Sequence, residues 1–259
     1  MDGTVHPLKE TCQPLPHVAP AGFINSILFY GRLFFDLWVS AVYRDVKKYL
    51  QSTKNNVLEV GCGDKPYRHL VPDDVKYCGI DWGGSKRFFH YNNSDVVYYD
   101  GDIFPLSGES FDYIFHTEVL EHVYKLDRFL SECYRVLSKK GKMFFTVPFA
   151  ARNHYILYDY WRFTPVSIEM LLASAGFKHI VVEPRGSDII VIIAKINTLF
   201  LKTIMHDIRN PIFRVINILF WGIIFLIPLV LCTLLGHILF CSKVGSVDDP
   251  LGYSVYCEK

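Results

Sequence analysis

Two glycines and two acidic residues stand where predicted strands end, which is where ligands bind in parallel sheets. The stretch VLEVGCG begins at Val57, and its apolar part predicts a buried strand that stops at Gly61 and Gly63. Glycines permit a tight turn and let a ligand approach the backbone closely. Asp81 follows about twenty residues later, where a carboxylate at the end of the next strand can accept both hydroxyls of a ribose. This spacing predicts a nucleoside site.

The absence of known phosphate-binding motifs narrows the class of nucleoside ligand further. A dinucleotide fingerprint would have a third glycine where this chain has Pro66, and the Gly-Lys-Ser/Thr of a P-loop is absent. A nucleoside without a pyrophosphate fits better, and Asp102, at the end of YYDGD, can accept a hydrogen bond from the amino group of an adenine. An ordinary strand-to-helix turn is the alternative, but it explains only the glycines and leaves both acidic residues without a role.

Two histidines have the chemistry of a general base near neutral pH. His122 lies in EVLEHV, just after the predicted fourth strand, and His154 lies in the loop NHYILYDYWRFTP after the fifth. Each histidine either takes a proton from an acceptor or only fastens its loop through hydrogen bonds. Asp159 and Arg162 share the second loop with several aromatic residues, and they either grip polar groups of a substrate or pair with each other.

The elements that would position these residues alternate between strand and helix. Buried strands are predicted at NNVLEV, VKYCGIDW, VVYYDGD, FDYIFHT, KMFFTVPF and FKHIVVE. Apolar spacing predicts one amphipathic helix over 24–50, a second from Leu126 that closes at Lys139-Lys140-Gly141, and a third from Thr164-Pro165 to Gly176. This alternation predicts an α/β fold with a doubly wound, mostly parallel sheet and helices on both faces.

Four stretches occur together in the order that is typical of one enzyme family: VLEVGCG, YCGID, DGDIFPLSGESFDYIFHTEVLEHV and RVLSKKGKMFFTVPF. Over roughly 57–183 the chain resembles the class I S-adenosylmethionine-dependent methyltransferases of the type 11 group. The resemblance implies a Rossmann-like, seven-stranded sheet, S-adenosyl-L-methionine as the cofactor, and methyl transfer as the activity. It also implies residues at the methionine end (Glu59, Gly61, Gly63), at the ribose (Asp81) and at the adenine (Asp102, Ile103).

The loop after the fifth strand resembles the type 11 signature H-x-x-x-x-D-x-x-R-x-T-P, which is often associated with sugar and cell-surface polysaccharide pathways. This favours O-methylation of a small or lipid-linked, or glycosidic, acceptor at a membrane. The predicted catalytic residues are His122, His154, Asp159 and Arg162. No His/Asp/Glu cluster has the spacing of metal ligands, so no metal is predicted. A membrane-attached sensor or scaffold that binds S-adenosylmethionine without transferring its methyl group is the second functional hypothesis.

A segment without Asp, Glu, Lys or Arg, from Val215 to Ser242, needs a separate explanation. As a helix, 216–240 would run roughly 37 Å, enough to cross a bilayer. The following stretch, PLGYSVYCEK, resembles the closing antiparallel strand of the methyltransferase sheet, and a single crossing would leave it on the far side. Three interpretations remain open: two short arms broken at Pro228 that dip into one leaflet, a spanning helix with the last strand lost from the sheet, and a helical pair buried against the domain or at a dimer interface.

The chain of 259 residues is thus predicted to contain an N-terminal segment with the amphipathic helix (1–52), a methyltransferase domain (53–200), a hydrophobic membrane-associated or transmembrane segment (201–245) and a closing strand (246–259). Arg209 and Arg214 before the hydrophobic segment, with Asp248 and Asp249 after it, favour a membrane-associated protein with a cytoplasmic catalytic domain. The 27 Lys and Arg nearly balance the 26 Asp and Glu, so no nucleic-acid partner is predicted. Seven cysteines without a C-x-x-C spacing favour a reducing compartment.

Overall fold

The computed structural model describes residues 17–88, 93–204 and 211–259. Its centre is a seven-stranded sheet of β1 (Asn56–Val60), β2 (Lys76–Trp82), β3 (Val97–Tyr99), β4 (Phe111–Thr117), β5 (Leu137–Pro148), β6 (Lys178–Arg185) and β7 (Gly252–Glu258). The strand order is β3-β2-β1-β4-β5-β7-β6, and β7 runs antiparallel to β5 and β6, whereas the other pairs are parallel. The predicted fold class, including the antiparallel closing strand, is confirmed.

Helices cover both faces of this sheet. They are α1 (Gly22–Phe35), α2 (Leu37–Leu50), α3 (Ser85–Phe88), α4 (Leu126–Val136), α5 (Pro165–Ser174), α6 (Asp188–Ile204) and α7 (Pro211–Ser242). Successive side chains of a strand point to opposite faces. In β1, Val57 therefore joins the core under α2, whereas Leu58 joins the core under α4 and α5. The carboxyl ends of β1, β2 and β4 consequently meet at one edge of a sheet that is packed on both sides.

The predicted single helix over 24–50 is wrong, because the chain breaks at Asp36. This residue has an extended conformation (φ −107°, ψ 98°), and its carboxylate accepts hydrogen bonds from the backbone N–H groups of Trp38 and Val39, at 3.1 and 3.2 Å. Asp36 thus caps the start of α2. Arg32 lies beside it, with 3.9 Å between its Nε and the Asp36 carboxylate, so an ion pair forms at the break.

The predicted end of the helix after Leu126 is also wrong. The structure ends α4 at Val136, and Leu137 is already extended and pairs with Phe111 of β4. The register then shifts, because the next pair along the ladder is Tyr113 with Lys142. The Lys-Lys-Gly that resembled a helix end therefore lies in the irregular first part of β5. The helix predicted from Thr164 is confirmed, with Thr164 and Ser167 forming a capping box.

The hydrophobic segment forms one continuous helix, α7, with Pro228 inside it. It packs against α6, and Asn197 of α6 donates a hydrogen bond to Thr233 of α7 over 2.9 Å. The chain leaves the sheet just before α6 and returns to it just after α7, and these two points are neighbours. The hydroxyl of Ser187, which precedes α6, donates a hydrogen bond to the carbonyl of Val244, which follows α7, at 2.6 Å. Helices α6 and α7 therefore form a hairpin with its base fixed at the sheet.

This hairpin disagrees with two of the three interpretations of the hydrophobic segment. The segment is not broken into two arms at Pro228, and the terminal strand is not lost, since β7 lies between β5 and β6. Among the described residues, Ile212–Ser242 is the one helix long and apolar enough to cross a membrane. Only 11% of its most apolar stretch is buried, which disagrees with a helical pair buried against the domain and leaves the dimer interface as the remaining part of the third interpretation. Arg209, used above to predict orientation, lies outside the described residues.

Candidate functional site

The glycine turn after β1 lies against the loop that follows β4. Gly61 has a φ of +68°, and its N–H donates to the carbonyl of Ile80 in β2 at 2.8 Å. A Cβ at Gly61 would lie 2.5 Å from a methyl group of Val119, far inside van der Waals contact. Both the backbone conformation and the close packing therefore require glycine here. The turn leaves its backbone facing a large cavity.

Asp81 lies at the end of β2 and faces the same cavity. Its carboxylate accepts hydrogen bonds from the N–H of Gly63 at 2.9 Å and from the N–H of Trp82 at 2.7 Å. Burial raises the pKa of Asp81 to about 6, so the group is mostly ionised at neutral pH. A carboxylate has about four lone-pair sites, so two backbone donors leave room for two further donors. The geometry suits an acceptor of paired hydroxyl groups.

Glu59 lies beneath the glycine turn on β1, and the hydroxyl of Tyr77 on β2 donates a hydrogen bond to its carboxylate. Burial raises the pKa of Glu59 to about 8, so the group is mostly protonated at neutral pH in this structure. A cationic group of a ligand nearby would favour its ionised form. Tyr77 gave no signal in the sequence, because it looked like an ordinary strand residue.

Asp102 and Ile103 follow β3, and Asp102 lines the cavity whereas Ile103 is not among its lining residues. Their N–H groups both point at the carboxylate of Asp100, at 2.9 and 3.4 Å. The side chain of Asp102 forms an ion pair with Lys125 at 2.7 Å, and Ile103 is 53% exposed. Asp100 holds this turn in place, although nothing in the sequence distinguishes it from the acidic residues around it.

His122 and His154 come together around a third residue, Glu121. The backbone carbonyl of Glu121 accepts hydrogen bonds from the N–H groups of Tyr160 and Trp161, which ties the loop after β5 to the loop after β4. The Nε2 atoms of His122 and His154 lie 3.7 and 4.0 Å from Oε1 of Glu121. Sequence reasoning found both histidines but missed Glu121, which precedes His122 in EVLEHV.

The protonation of this cluster is set by burial. Burial lowers the pKa of His122 to about 4, so its imidazole is neutral at physiological pH. Burial also raises the pKa of Glu121 well above its usual range. Both shifts reflect the cost of a charge in a site from which water is largely excluded.

Asp159 and Arg162 pair with each other, one of the two alternatives that the sequence left open. The guanidinium donates to both carboxylate oxygens, at 2.6 and 2.8 Å, and also to the carbonyl of Arg152 at 3.1 Å. Asp159 in turn accepts a hydrogen bond from the backbone N–H of His154 at 3.0 Å. The pair therefore fixes the loop that carries His154 at the cavity wall.

One cavity of about 2010 Å³ connects these groups. That volume is about twice the upper end of an ordinary ligand pocket, so it has room for two ligands. The cavity extends from Gly61, Asp81 and His154 to the helices at the far side, where Ile27 and Leu28 of α1 and Leu199 of α6 line it. These last three side chains are also 56%, 62% and 62% exposed, so the cavity opens at an apolar part of the protein surface.

Comparisons with known proteins relate this domain to methyltransferases. A family model described as a methyltransferase domain, of type 11, matches residues 58–145. A probable S-adenosylmethionine-dependent methyltransferase of Mycolicibacterium smegmatis is 29% identical over 97 residues, which are 36% of this chain and 38% of that protein. The crystal structure of an S-adenosylmethionine-dependent methyltransferase from Archaeoglobus fulgidus has a TM-score of 0.53 at 18% identity, covering 85% of this chain and 94% of that one. The chain thus spans well under half the length of the curated relative that it matches.

Proposed function

We propose that this chain, whose residues 58–145 form a class I methyltransferase domain of the type 11 group, transfers a methyl group from S-adenosyl-L-methionine to an oxygen of a small acceptor carried on a lipid. The observation that supports a lipid-linked acceptor is a set of apolar side chains that line the cavity and are also exposed on the protein surface. Ile27, Leu28 and Leu199 belong to both, so a lipid-linked group can enter the cavity from the apolar surface.

The cofactor has a chemically suitable partner for each of its parts along the cavity wall. The amino acid end would lie against the glycine turn near Glu59, Gly61 and Gly63, where its ammonium group meets a buried carboxyl. Asp81 would accept the two ribose hydroxyls. Asp102, which lines the cavity, would accept a hydrogen bond from the adenine, and the exposed Ile103 next to it would offer an apolar face to the ring.

The reaction needs little from the protein beyond positioning. The bond between the sulfonium sulfur and the methyl carbon breaks, a bond from that carbon to the acceptor oxygen forms, and the hydroxyl proton must leave. The protein has to hold the oxygen in line with the methyl group and exclude water. The cluster of Glu121, His122 and His154 is the proposed place of deprotonation, with Asp159 and Arg162 as positioning residues that hold the loop of His154.

A monotopic attachment agrees best with the hairpin. Its two ends return to one side of the sheet, and α1, α6 and α7 expose an apolar helical surface. We define this surface by ten exposed side chains: Phe23, Ile24, Ile27, Leu28, Ile192, Ile196, Leu199, Ile223, Ile227 and Leu231. Lys195 and Lys202 line the cavity at the same end and supply positive charge for an anionic headgroup on the cytoplasmic leaflet.

The direct test is methyl transfer to a lipid extract. The full chain in detergent, given S-adenosylmethionine with a radioactive methyl group and a total membrane lipid extract, is expected to move label into the organic phase with time. The Asp81→Ala variant, which lacks the ribose acceptor, is expected to move none. Label that stays in water-soluble compounds would contradict a lipid-linked acceptor. Tight cofactor binding without any transfer would favour the non-catalytic sensor or scaffold.

Arg162→Ala is expected to lower the rate of methyl transfer roughly 10- to 100-fold, because misplacement of a reacting group by about 1 Å has an effect of that order. Cofactor affinity should stay within about twofold, since Arg162 contacts Asp159 and backbone carbonyls rather than the glycine turn. Rates in the lipid assay and calorimetry with the cofactor measure the two effects. Arg128→Ala, an exposed arginine on α4, is the matched control. Equal losses of rate and affinity would contradict the positioning role.

A further inference from the structure

We propose that Glu121, His122 and His154 bind a divalent transition-metal cation, such as Mn²⁺, Fe²⁺, Co²⁺ or Zn²⁺, at the wall of the large cavity. Each residue offers one ligand atom, and these atoms all lie within 4.8 Å of one another. Two imidazoles and one carboxylate form a set that such cations accept while they keep positions open for other ligands.

Both histidines are oriented as metal ligands are. Nδ1 of His122 lies 2.8 Å from the carbonyl oxygen of Tyr158, and Nδ1 of His154 lies 3.1 Å from the carbonyl oxygen of Arg152. A carbonyl only accepts, so each Nδ1 carries the proton and donates it. Each Nε2 then carries a lone pair, and both lone pairs belong to the atoms nearest Glu121. A backbone carbonyl behind the ligating histidine is the usual outer contact of a metal site.

Glu121 supplies the second, independent observation. Its side chain is completely buried, and neither carboxylate oxygen has a hydrogen-bond partner in the part of the chain that the structure describes. A buried acid without donors is costly. The Nε2 atoms of His122 and His154 lie 3.7 and 4.0 Å from Oε1, beyond hydrogen-bond reach, and both carry lone pairs. A cation between them would satisfy all three groups at once.

The role of the cation rests on the proposed function, whereas its binding rests on the geometry alone. His122 and His154 line the same cavity as Gly61 and Asp81, so an open position on the cation faces the space for the acceptor. A hydroxyl bound to the cation would have a lowered pKa, and its proton would pass to bulk water at the open end of the cavity before the methyl group is transferred. The cation would thus generate the oxygen nucleophile and also hold it in place.

Titration of the full chain with Co²⁺ tests the site directly. The protein in detergent is stripped with a chelator, dialysed, and titrated with CoCl₂ by calorimetry and visible absorption. We expect one equivalent to bind with the spectrum of nitrogen ligation. Glu121→Gln and His154→Gln, which preserve side-chain volume or polarity, should each weaken binding at least tenfold, and the double variant His122→Gln/His154→Gln should abolish it. His179→Gln, at an exposed histidine on β6, should bind as the unchanged chain does.

Cofactor affinity, measured by calorimetry in the same samples, separates the two proposals and checks the fold. Variants that bind S-adenosylmethionine normally but have lost Co²⁺ support the cation site. Stoichiometric Co²⁺ binding that is unchanged in the double variant, or absent from a chain that binds the cofactor, overturns it. If no sample binds the cofactor while the unchanged chain binds Co²⁺ through these residues, the cation site stands and the proposed function fails.

Discussion

Asp81→Ala is expected to weaken the binding of S-adenosylmethionine at least a hundredfold. The carboxylate would accept two ribose hydroxyls, and a hydrogen bond to a charged group contributes about 1.5–3 kcal/mol. Losing two such bonds amounts to roughly 3–6 kcal/mol, whereas a hundredfold loss corresponds to about 2.8 kcal/mol. The substitution also frees the N–H of Gly63, which Asp81 now holds in the glycine turn. Calorimetry of the full chain in detergent measures the effect.

Loss of the fold would not explain that result. Burial raises the pKa of Asp81 from 3.8 to about 6, so any stability that this group contributes is present below the lower value and is lost as the pH rises through the higher one. Removing the carboxylate at pH 7 therefore removes a group that burial destabilises. Asp73→Ala, at an exposed aspartate before β2, is the control and should bind the cofactor normally. Affinity of Asp81→Ala within threefold of the unchanged chain would contradict the assignment.

The meeting of the glycine turn with Asp81 could be predicted because its signals are local. Val57 to Val60 form an apolar strand, the glycines follow at once, and Asp81 ends the next strand. In a parallel sheet the order of strands then brings these ends together, since β1 pairs with β2 on one side and with β4 on the other. Short-range patterns and one rule of topology were sufficient.

The other side of the cavity depends on contacts between loops, which the sequence does not encode in spacing. Glu121 and His154 belong to different loops, and they meet because the N–H groups of Tyr160 and Trp161 bind the carbonyl of Glu121. No periodicity indicates such a contact, so the ligand spacing in the sequence does not reveal this cluster, and the prediction of no metal rested on that spacing. The pairing of Asp159 with Arg162 had to be left open for the same reason.

The hydrophobic segment illustrates a different limit. Hydropathy fixes the length and polarity of α7, but it does not say where the chain goes before and after the helix. The position of α7 is set by the polar base of the hairpin, where the Ser187 hydroxyl donates to the Val244 carbonyl and the Asp188 N–H donates to the Ser246 carbonyl. It is also set by β7, which follows α7 and lies inside the sheet. Since both ends of the hairpin return to one sheet, a surface attachment fits the fold and a single crossing does not.

The triple variant Ile223→Glu/Ile227→Glu/Leu231→Glu is expected to weaken binding to lipid vesicles at least a thousandfold. These side chains are 78%, 68% and 60% exposed and stand one helical turn apart on α7. Burying each in a membrane would contribute about 1.5–3 kcal/mol, so the loss for three is roughly 4.5–9 kcal/mol before the cost of the new charges is counted. Flotation with vesicles over a range of lipid concentrations measures the partition coefficient.

The same exposure makes this test specific, because residues that contact little of the protein can be changed without opening its core. Val166→Glu/Met170→Glu on α5, at positions 64% and 65% exposed, places charges on apolar sites outside the apolar helical surface. That control should float with the vesicles as the unchanged chain does, and both variants should still bind the cofactor. Equal flotation of the triple variant would rule out attachment through α7. A further outcome is that the triple variant loses flotation and also loses methyl transfer to lipid-linked acceptors while it keeps transfer to soluble ones. That result would indicate that the substrate reaches the cavity from the membrane through the apolar helical surface.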